Sequence, residues 1–318
     1  MLRTCLLVVA IGSAQCFRPV LRPTASSAPS ISRLAAINSP TGIRVKLANV
    51  EMSGADFQGA PPLDTTLAPP IPKFSWPRIL FFVANPLALM PVAGLAWAIL
   101  RVDVMGSAYA ATTSAAASGA MLAMPMLVIS LVADKFIPAL EQVTEASQCM
   151  TLYAMGGRSL PVRAFAAATL ISTSAAVAEE IAFRGVLQTA VQSLLVWASA
   201  PYATAAAVVV QALVFGVLHS YTSSVAYLAT ATVAGLAFGA AFASTSNLAV
   251  PIAMHFVIDM VGFLVCHYKV SKASETAQRD LMMADSPIAR SLRRIFEARQ
   301  QQESASVQQA ASAEEKGP

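Results

Sequence analysis

The central part of the chain consists of long apolar runs separated by short polar stretches. A helix needs about 20 predominantly apolar residues to cross the hydrocarbon core of a bilayer, and the runs show no strand-like alternation. The pattern predicts an all-α fold, a polytopic membrane helix bundle with about six (six to eight) transmembrane helices. The candidate spans are 79–100, 115–133, 164–197, 203–219, 225–244 and 249–267.

The composition agrees with a membrane protein. The chain has 318 residues, of which 56% are hydrophobic and 12% are charged, whereas soluble domains carry about 25% charged residues. The net charge of +4 lies toward the ends of the chain, so it does not indicate a nucleic-acid partner. The four cysteines lack CxxC spacing, which excludes a disulfide framework and a thiolate zinc site.

The N-terminal part of the chain predicts a targeting leader. Residues 1–16 combine one early arginine with a short apolar core, as a secretory signal peptide does. Residues 17–75 are basic, contain Ser and Pro, and have no acidic residue before Glu51, which predicts a transit peptide and disordered linker. Together they resemble the bipartite leader of algae with secondary plastids, so we expect a thylakoid or envelope membrane. A secretory-pathway membrane is the alternative.

The rest of the chain divides into three parts. Residues 76–160 hold the N-terminal transmembrane helices and a connecting loop, 161–268 hold the polar residues of interest, and 269–318 form a polar tail. Apolar residues recur at helical spacing from Ile288 to Phe296, beside Arg290, Arg293, Arg294 and Arg299. This pattern predicts an interfacial amphipathic helix in that tail; a mobile charged tail is the alternative. Basic residues flank the first and last spans, so we expect both ends on the cytoplasm-equivalent side.

Charged and histidine side chains are rare between residues 164 and 268. A charge at mid-bilayer costs at least ~2.5–3.5 kcal/mol, so we expect these groups to face one another inside the bundle. A buried ion-pair network that only fixes helix packing is the alternative. The residues are Glu179, Glu180, Arg184, His219, His255, Asp259 and His267, the last expected at the interface.

Helical spacing gives these side chains separate roles. Glu180 and Arg184 share a helix face at i, i+4 and can pair, which offsets the cost of burying both. Glu179 is turned by about 100° from Glu180 and has no cation on its own helix, so we assign it as a general base for water, oriented by the pair. His255 and Asp259 also share a face, and Asp259 can fix the tautomer of His255.

Three motifs in this order resemble those of the CPBP family, the CAAX-protease and bacteriocin-processing type of intramembrane protease. They are EEIAFR at 179–184, FGVLH at 215–219 and HFVID at 255–259, and the resemblance covers about 164–267. It implies that 161–268 is a catalytic helix bundle in which Glu179 activates water. His219 and His255 would bind a metal or the substrate carbonyl. Asp at 259, where the family often has Asn, cannot donate when ionised, which favours an orienting role.

The resemblance leaves the catalytic type open. Glu179, His219 and His255 are enough for a zinc site, but HExxH is absent, so the spacing alone does not demand a metal. We expect an intramembrane metallo- or glutamate-dependent endopeptidase that acts on a membrane protein or peptide in contact with lipid. A non-proteolytic membrane scaffold or adaptor is the alternative; a transporter is less well supported because no inverted repeat is present. In a plastid, a prenylated substrate is not expected.

Overall fold

The computed structural model describes residues 70–133, 135–219 and 225–284. Within these ranges all regular structure is helical, which confirms the all-α membrane bundle. The predicted signal peptide, most of the predicted transit peptide and the predicted amphipathic helix at 288–296 lie outside the described residues.

The first predicted span consists of two short helices placed end to end. Helix α1 covers Trp76–Leu87 and helix α2 covers Leu89–Leu100. The break at Ala88 lies between Pro86 and Pro91. Proline lacks an amide hydrogen and its ring collides with the carbonyl four residues earlier, so two prolines this close interrupt the helix.

Helix α3 covers Thr113–Ala133, and helix α4 covers Pro138–Met155. The sequence had placed the α4 region in a connecting loop, and that prediction was wrong. Polar residues such as Glu141 and Glu145 run through α4 and dilute the apolar signal, although its buried side packs Leu152 and Tyr153 against Val270.

The remaining helices carry the polar motifs. Helix α5 is followed without a break by a π-helical segment and then by α6, so that one continuous rod of 37 residues runs from Pro161 to Trp197. The bounds are Pro161–Glu180 for α5, Ile181–Gln188 for the π segment, Thr189–Trp197 for α6, Ala203–Leu218 for α7, Val225–Thr245 for α8, Ala249–Lys272 for α9 and Glu275–Met283 for α10.

Five of the six predicted spans are long and apolar enough to cross a membrane: Trp76–Leu100, Thr113–Ala133, Pro161–Trp197, Val225–Thr245 and Ala249–Lys272. The sixth, α7, has only 16 residues. At 1.5 Å per residue it is about 24 Å long, less than the roughly 30 Å of hydrocarbon. Because its end at His219 faces the middle of the long 161–197 rod, α7 stops inside the bundle.

The loop at 101–112 joins the N-terminal helices to the bundle. Met105 O accepts a hydrogen bond from the amide of Leu248 at 3.0 Å, and Ser246 O accepts one from the amide of Ala108 at 3.0 Å. Val104 packs directly on Gly185 in the π segment, where an added Cβ would lie 2.6 Å from Val104 Cγ1. The loop therefore touches both the π segment and the turn between α8 and α9.

Helices α7 and α8 pack closely through small residues. A Cβ added to Gly235 of α8 would lie 3.0 Å from the Cα atom of Ala212 on α7, so only glycine lets the two backbones approach this far. Small residues at helix contacts are the usual means of close packing in lipid. This contact holds α8 against α7 beside the polar motifs.

Candidate functional site

The polar motifs lie on three helices that meet in the middle of the bundle. Glu179 and Glu180 are the last residues of α5, and His219 directly follows α7. His255 and Asp259 lie one turn apart on α9. The predicted residues thus come together in space, and they divide into a buried group and an accessible group.

The buried group is centred on one carboxylate oxygen. Glu180 Oε1 lies 2.8 Å from Arg184 Nη1 and 2.8 Å from His255 Nδ1, and both nitrogens donate to it. The side chains of Glu180 and Arg184 have no solvent exposure. Arg184 Nη2 also donates to Gly235 O at 3.3 Å. The group therefore ties α5 and the π segment to both α8 and α9.

Aromatic rings enclose the buried group. The guanidinium carbon of Arg184 lies 4.6 Å from the ring centre of Phe215 and 5.0 Å from that of Phe238. The imidazole of His255 stacks on Phe238, with ring centres 4.9 Å apart and planes 17° from parallel. Cation–π contacts of this kind partly offset the loss of water around a buried guanidinium.

The accessible group contains Glu179, His219 and Asp259. Glu179 Oε2 faces His219 Nε2 across 4.0 Å, with 16% and 22% of the two side chains exposed. Asp259 Oδ2 lies 3.4 Å from His255 Nε2, and 29% of its side chain is exposed. His219 Nδ1 lies 2.8 Å from Phe215 O. Because a carbonyl oxygen can only accept, Nδ1 carries a proton and Nε2 is the ring nitrogen turned toward Glu179.

Glu180 has a partner that helical spacing did not reveal. The sequence paired it with Arg184, at the spacing the structure shows, and gave His255 to Asp259. In the structure the Glu180 carboxylate lies closer to His255 than Asp259 does, at 2.8 Å against 3.4 Å. His255 is therefore held from both ring nitrogens, by carboxylates on two different helices.

A π segment begins directly after the two glutamates, at Ile181. Segments of this kind are rare and frequently occur at functional sites. In a π-helix the backbone bonds join residues five apart, and Thr189 Oγ1 also donates to Arg184 O at 3.1 Å, five residues back. Periodicity in the sequence gave no sign of this segment.

Two buried glutamines adjoin the site and were not predicted. Gln211 Nε2 donates to Gly235 O at 2.8 Å, and Gln188 Nε2 donates to Gly239 O at 3.1 Å. Neither side chain is exposed. The signal that could have revealed them is an uncharged amide within an apolar run, because a buried amide also needs a hydrogen-bond partner.

His267 lies apart from the site, in the last part of α9, and its side chain is buried; its position at the membrane interface stays a prediction. Only 8% of the residue is exposed, and its Nε2 atom lies 3.2 Å from the hydroxyl of Ser159. It follows Asp259 by two turns of α9, toward the other end of the helix from His255.

The next feature is the spacing of the side chains that could bind a metal ion. In the part of the chain that the structure describes, no three His, Cys, Asp or Glu side chains come together in a way that could hold a metal ion. Both ring nitrogens of His255 already face carboxylates. As arranged, Glu179, His219 and His255 do not fit a zinc ion, so zinc binding stays a prediction.

One known family matches the segment that carries these residues. Residues 161–261 match the family model described as type II CAAX prenyl endopeptidase Rce1-like. The Rce1-like match contains all six residues of the buried and accessible groups, whereas α1 to α4 lie outside it. It supports the CAAX-protease resemblance of this segment and, in general terms, an intramembrane endopeptidase activity. Comparisons with curated proteins and with solved structures gave no match.

Proposed function

We propose that this integral membrane protein is an endopeptidase that hydrolyses a peptide bond of a membrane-associated protein with water activated by Glu179. The observation that carries the proposal is the open gap between Glu179 and His219, beside a buried network that holds the neighbouring His255. The Rce1-like match of the same segment supports a protease of this class.

The gap has the size that one water molecule needs. At 4.0 Å, Glu179 Oε2 and His219 Nε2 are too far apart for a direct hydrogen bond. A water oxygen about 2.8 Å from each would contact both. Glu179 accepts one proton from this water, the oxygen attacks the substrate carbonyl carbon, and the same carboxyl then returns the proton to the leaving amine.

The two histidines would stabilise the negative charge that develops on the carbonyl oxygen. The Nε2 atoms of both rings lie toward the accessible side, where an N–H group on each would donate to that oxygen. The N–H of His255 would be shared between the substrate oxygen and Asp259 Oδ2, which lies 3.4 Å from Nε2. Preorganised donors act strongly in a site shielded from water, because low polarity magnifies their attraction for the oxyanion. Asp259 then orients His255, in keeping with its inability to donate when ionised.

The buried group keeps this arrangement rigid. Glu180 receives hydrogen bonds from Arg184 and His255 at 2.8 Å each, so the imidazole cannot rotate without breaking an ionic contact in an apolar environment. We therefore assign Glu180 and Arg184 as positioning residues. They support the reaction through His255 and do not touch the substrate.

The substrate reaches the site from the side on which Glu179, His219 and Asp259 are exposed. Because the bundle lies in a membrane, that side admits a peptide segment that is itself membrane-associated. The Rce1-like description names prenylated CAAX proteins, whereas the predicted plastid leader favours thylakoid or envelope proteins. Both classes belong in the test.

The test compares the wild type, Glu179→Gln and the exposed control Glu145→Gln in proteoliposomes. Each is given a farnesylated CAAX peptide and an unprenylated apolar-helix peptide, with the products measured by mass spectrometry. We expect Glu179→Gln to lose about 10²–10⁴ in turnover, the usual contribution of a general base, and Glu145→Gln to match the wild type. Equal turnover by wild type and Glu179→Gln would refute the mechanism. Metal content of the same samples tests the zinc prediction.

A second candidate is a non-proteolytic scaffold that retains the polar core. The buried group favours it in one respect, because a Glu–Arg–His network spanning three helices is also what stable packing alone would require. This candidate predicts no cleavage by the wild type and an intact cellular role in Glu179→Gln. An Arg184 variant would lose that role through unfolding.

A further inference from the structure

Gln211 is a fully buried amide that occupies a shared position in the site. Its Nε2 atom donates to Gly235 O at 2.8 Å, and Arg184 Nη2 donates to the same oxygen at 3.3 Å. One carbonyl on α8 therefore receives hydrogen bonds from α7 and from the π segment. This oxygen is the point at which three elements are fixed relative to one another.

The position of α8 matters because of Phe238, which lies on the same face three residues after Gly235. Phe238 stacks on His255 and also contacts the guanidinium of Arg184. Any shift of α8 would move this ring against His255 and Arg184, two members of the buried group. Gln211 thus stands at the start of a continuous path that runs through Gly235 and Arg184 to Glu180 and His255.

The close packing at Gly235 leaves little room for adjustment. An added Cβ there would lie 3.0 Å from Ala212 Cα, the residue next to Gln211. If the amide is removed, the Gly235 carbonyl loses its bond to α7 and keeps, besides its bond within α8, the longer contact with Arg184. The expected response is a small displacement of α8 rather than a replacement partner.

We propose that Gln211 is a positioning residue for His255: by holding the Gly235 carbonyl that Arg184 shares, it fixes the geometry of the Glu180–His255 contact. The kinetic consequence rests on the proposed function, whereas the geometric claim does not. Gln211 has no exposure and does not touch the substrate.

The chain offers a matched control in Gln188. This side chain is also fully buried and also donates to a glycine carbonyl of α8, Gly239, at 3.1 Å. Its acceptor oxygen shows no bond to Arg184. Gln188→Met therefore removes the same kind of interhelical bond without touching the shared carbonyl.

The first experiment uses the small number of histidines. The chain contains three, so ¹⁵N-histidine labelling of the full-length protein in proteoliposomes gives three imidazoles by solid-state NMR, assigned with His255→Gln and His267→Gln. We expect Gln211→Met to shift the Nδ1 signal of His255 and to leave His267 unchanged, and Gln188→Met to leave all three in place. An unmoved His255 in Gln211→Met, or equal shifts in both variants, would overturn the proposal. Gln211→Asn, too short to reach Gly235 O, replaces Gln211→Met if that variant does not fold.

The second experiment follows peptide cleavage. Because a misplacement of about 1 Å in a catalytic group can cost about a hundredfold, we expect Gln211→Met to lower kcat by roughly ten- to a hundredfold at an unchanged KM. Gln188→Met should retain the wild-type kcat. If the wild type cleaves nothing, the proposed function fails while the NMR result still decides the geometry. A normal kcat in Gln211→Met beside an active wild type contradicts the inference alone.

Discussion

Glu179 and Glu180 are neighbours in sequence and opposites in environment. Glu180 has no exposed surface and meets two hydrogen-bond donors at 2.8 Å, whereas Glu179 is 16% exposed and faces His219 across a gap of 4.0 Å. A rotation of about 100° between successive helical residues is enough to separate them. The Glu180 carboxylate thus joins helices through two hydrogen bonds, whereas the Glu179 carboxylate remains partly exposed.

The comparison teaches that a polar cluster in a membrane need not serve one purpose. Removing one partner of a buried ion pair leaves an unpaired charge, which is very costly, whereas a partly exposed carboxylate can keep contact with water. The stability of the bundle and the chemistry of the site can therefore be altered separately. Substitutions on each side of the site test that separation.

The largest effect is expected from exchanging each glutamate in turn. Glu179→Gln should reduce turnover by about 10²–10⁴ and change the melting temperature little, because its carboxylate is partly exposed and lies 4.0 Å from His219, beyond direct hydrogen-bond distance. Glu180→Gln should lower both, since His255 and Arg184 lose a charged acceptor. Differential scanning fluorimetry and peptide cleavage on the same samples measure the contrast. A lower melting temperature in Glu179→Gln than in Glu180→Gln would reverse the assignment.

A large loss of stability is expected from Arg184→Met. The change leaves Glu180 buried without its cation, which typically costs about 3–5 kcal/mol in the free energy of unfolding. Unfolding in mixed micelles with increasing SDS measures it. The control is Arg158→Met on the exposed loop before α5, which should change stability little. Equal unfolding curves for the two variants would show that the buried pair does not hold the bundle.

Intermediate effects are expected from two double-mutant cycles. The pair Glu180→Gln and His255→Gln should show a coupling of about 0.5–3 kcal/mol in unfolding, as residues in direct contact do. The pair Glu179→Gln and His219→Gln should couple less, because 4.0 Å separates the charged atoms. A stronger coupling in the accessible pair would mean that the gap closes in the membrane.

The smallest effect is expected from Asp259→Asn. Asp259 is 29% exposed and lies 3.4 Å from His255, so its ionic contact should contribute less than about 1 kcal/mol to stability. The amide keeps the shape of the side chain and should alter turnover only severalfold. A loss as large as that of Glu179→Gln would give Asp259 a direct part in the reaction.

The sequence was sufficient for the helices that cross the membrane. Spans predicted at 115–133 and 225–244 differ from the observed helices by at most two residues at either end, because long apolar runs have only one stable form in lipid. Helix α4 was missed because polar residues run through it, so that no long apolar run marks it in the sequence. The hydropathy pattern therefore identified the membrane spans but did not identify α4, a helix with both polar and apolar residues that packs on the bundle.

Within the site, local spacing identified pairs but not contacts between helices. Glu180 with Arg184 and His255 with Asp259 follow from i, i+4 geometry. The contact between Glu180 and His255 joins residues 75 positions apart, and no periodicity encodes it. Gln188 and Gln211 were passed over because an amide carries no charge, although an unpaired amide in lipid also costs several kcal/mol.

The loop at 101–112 ties the part of the chain outside the Rce1-like match to the part inside it. Its Val104 fills the space beside Gly185, and its backbone pairs with the turn that leads into α9. A protein shortened to 161–261 would leave the Leu248 amide and the Ser246 carbonyl without these partners and would expose the surface at Gly185 that Val104 covers. The matched segment therefore relies on the loop between the N-terminal spans for part of its packing, and a shortened protein should be less stable than the full chain.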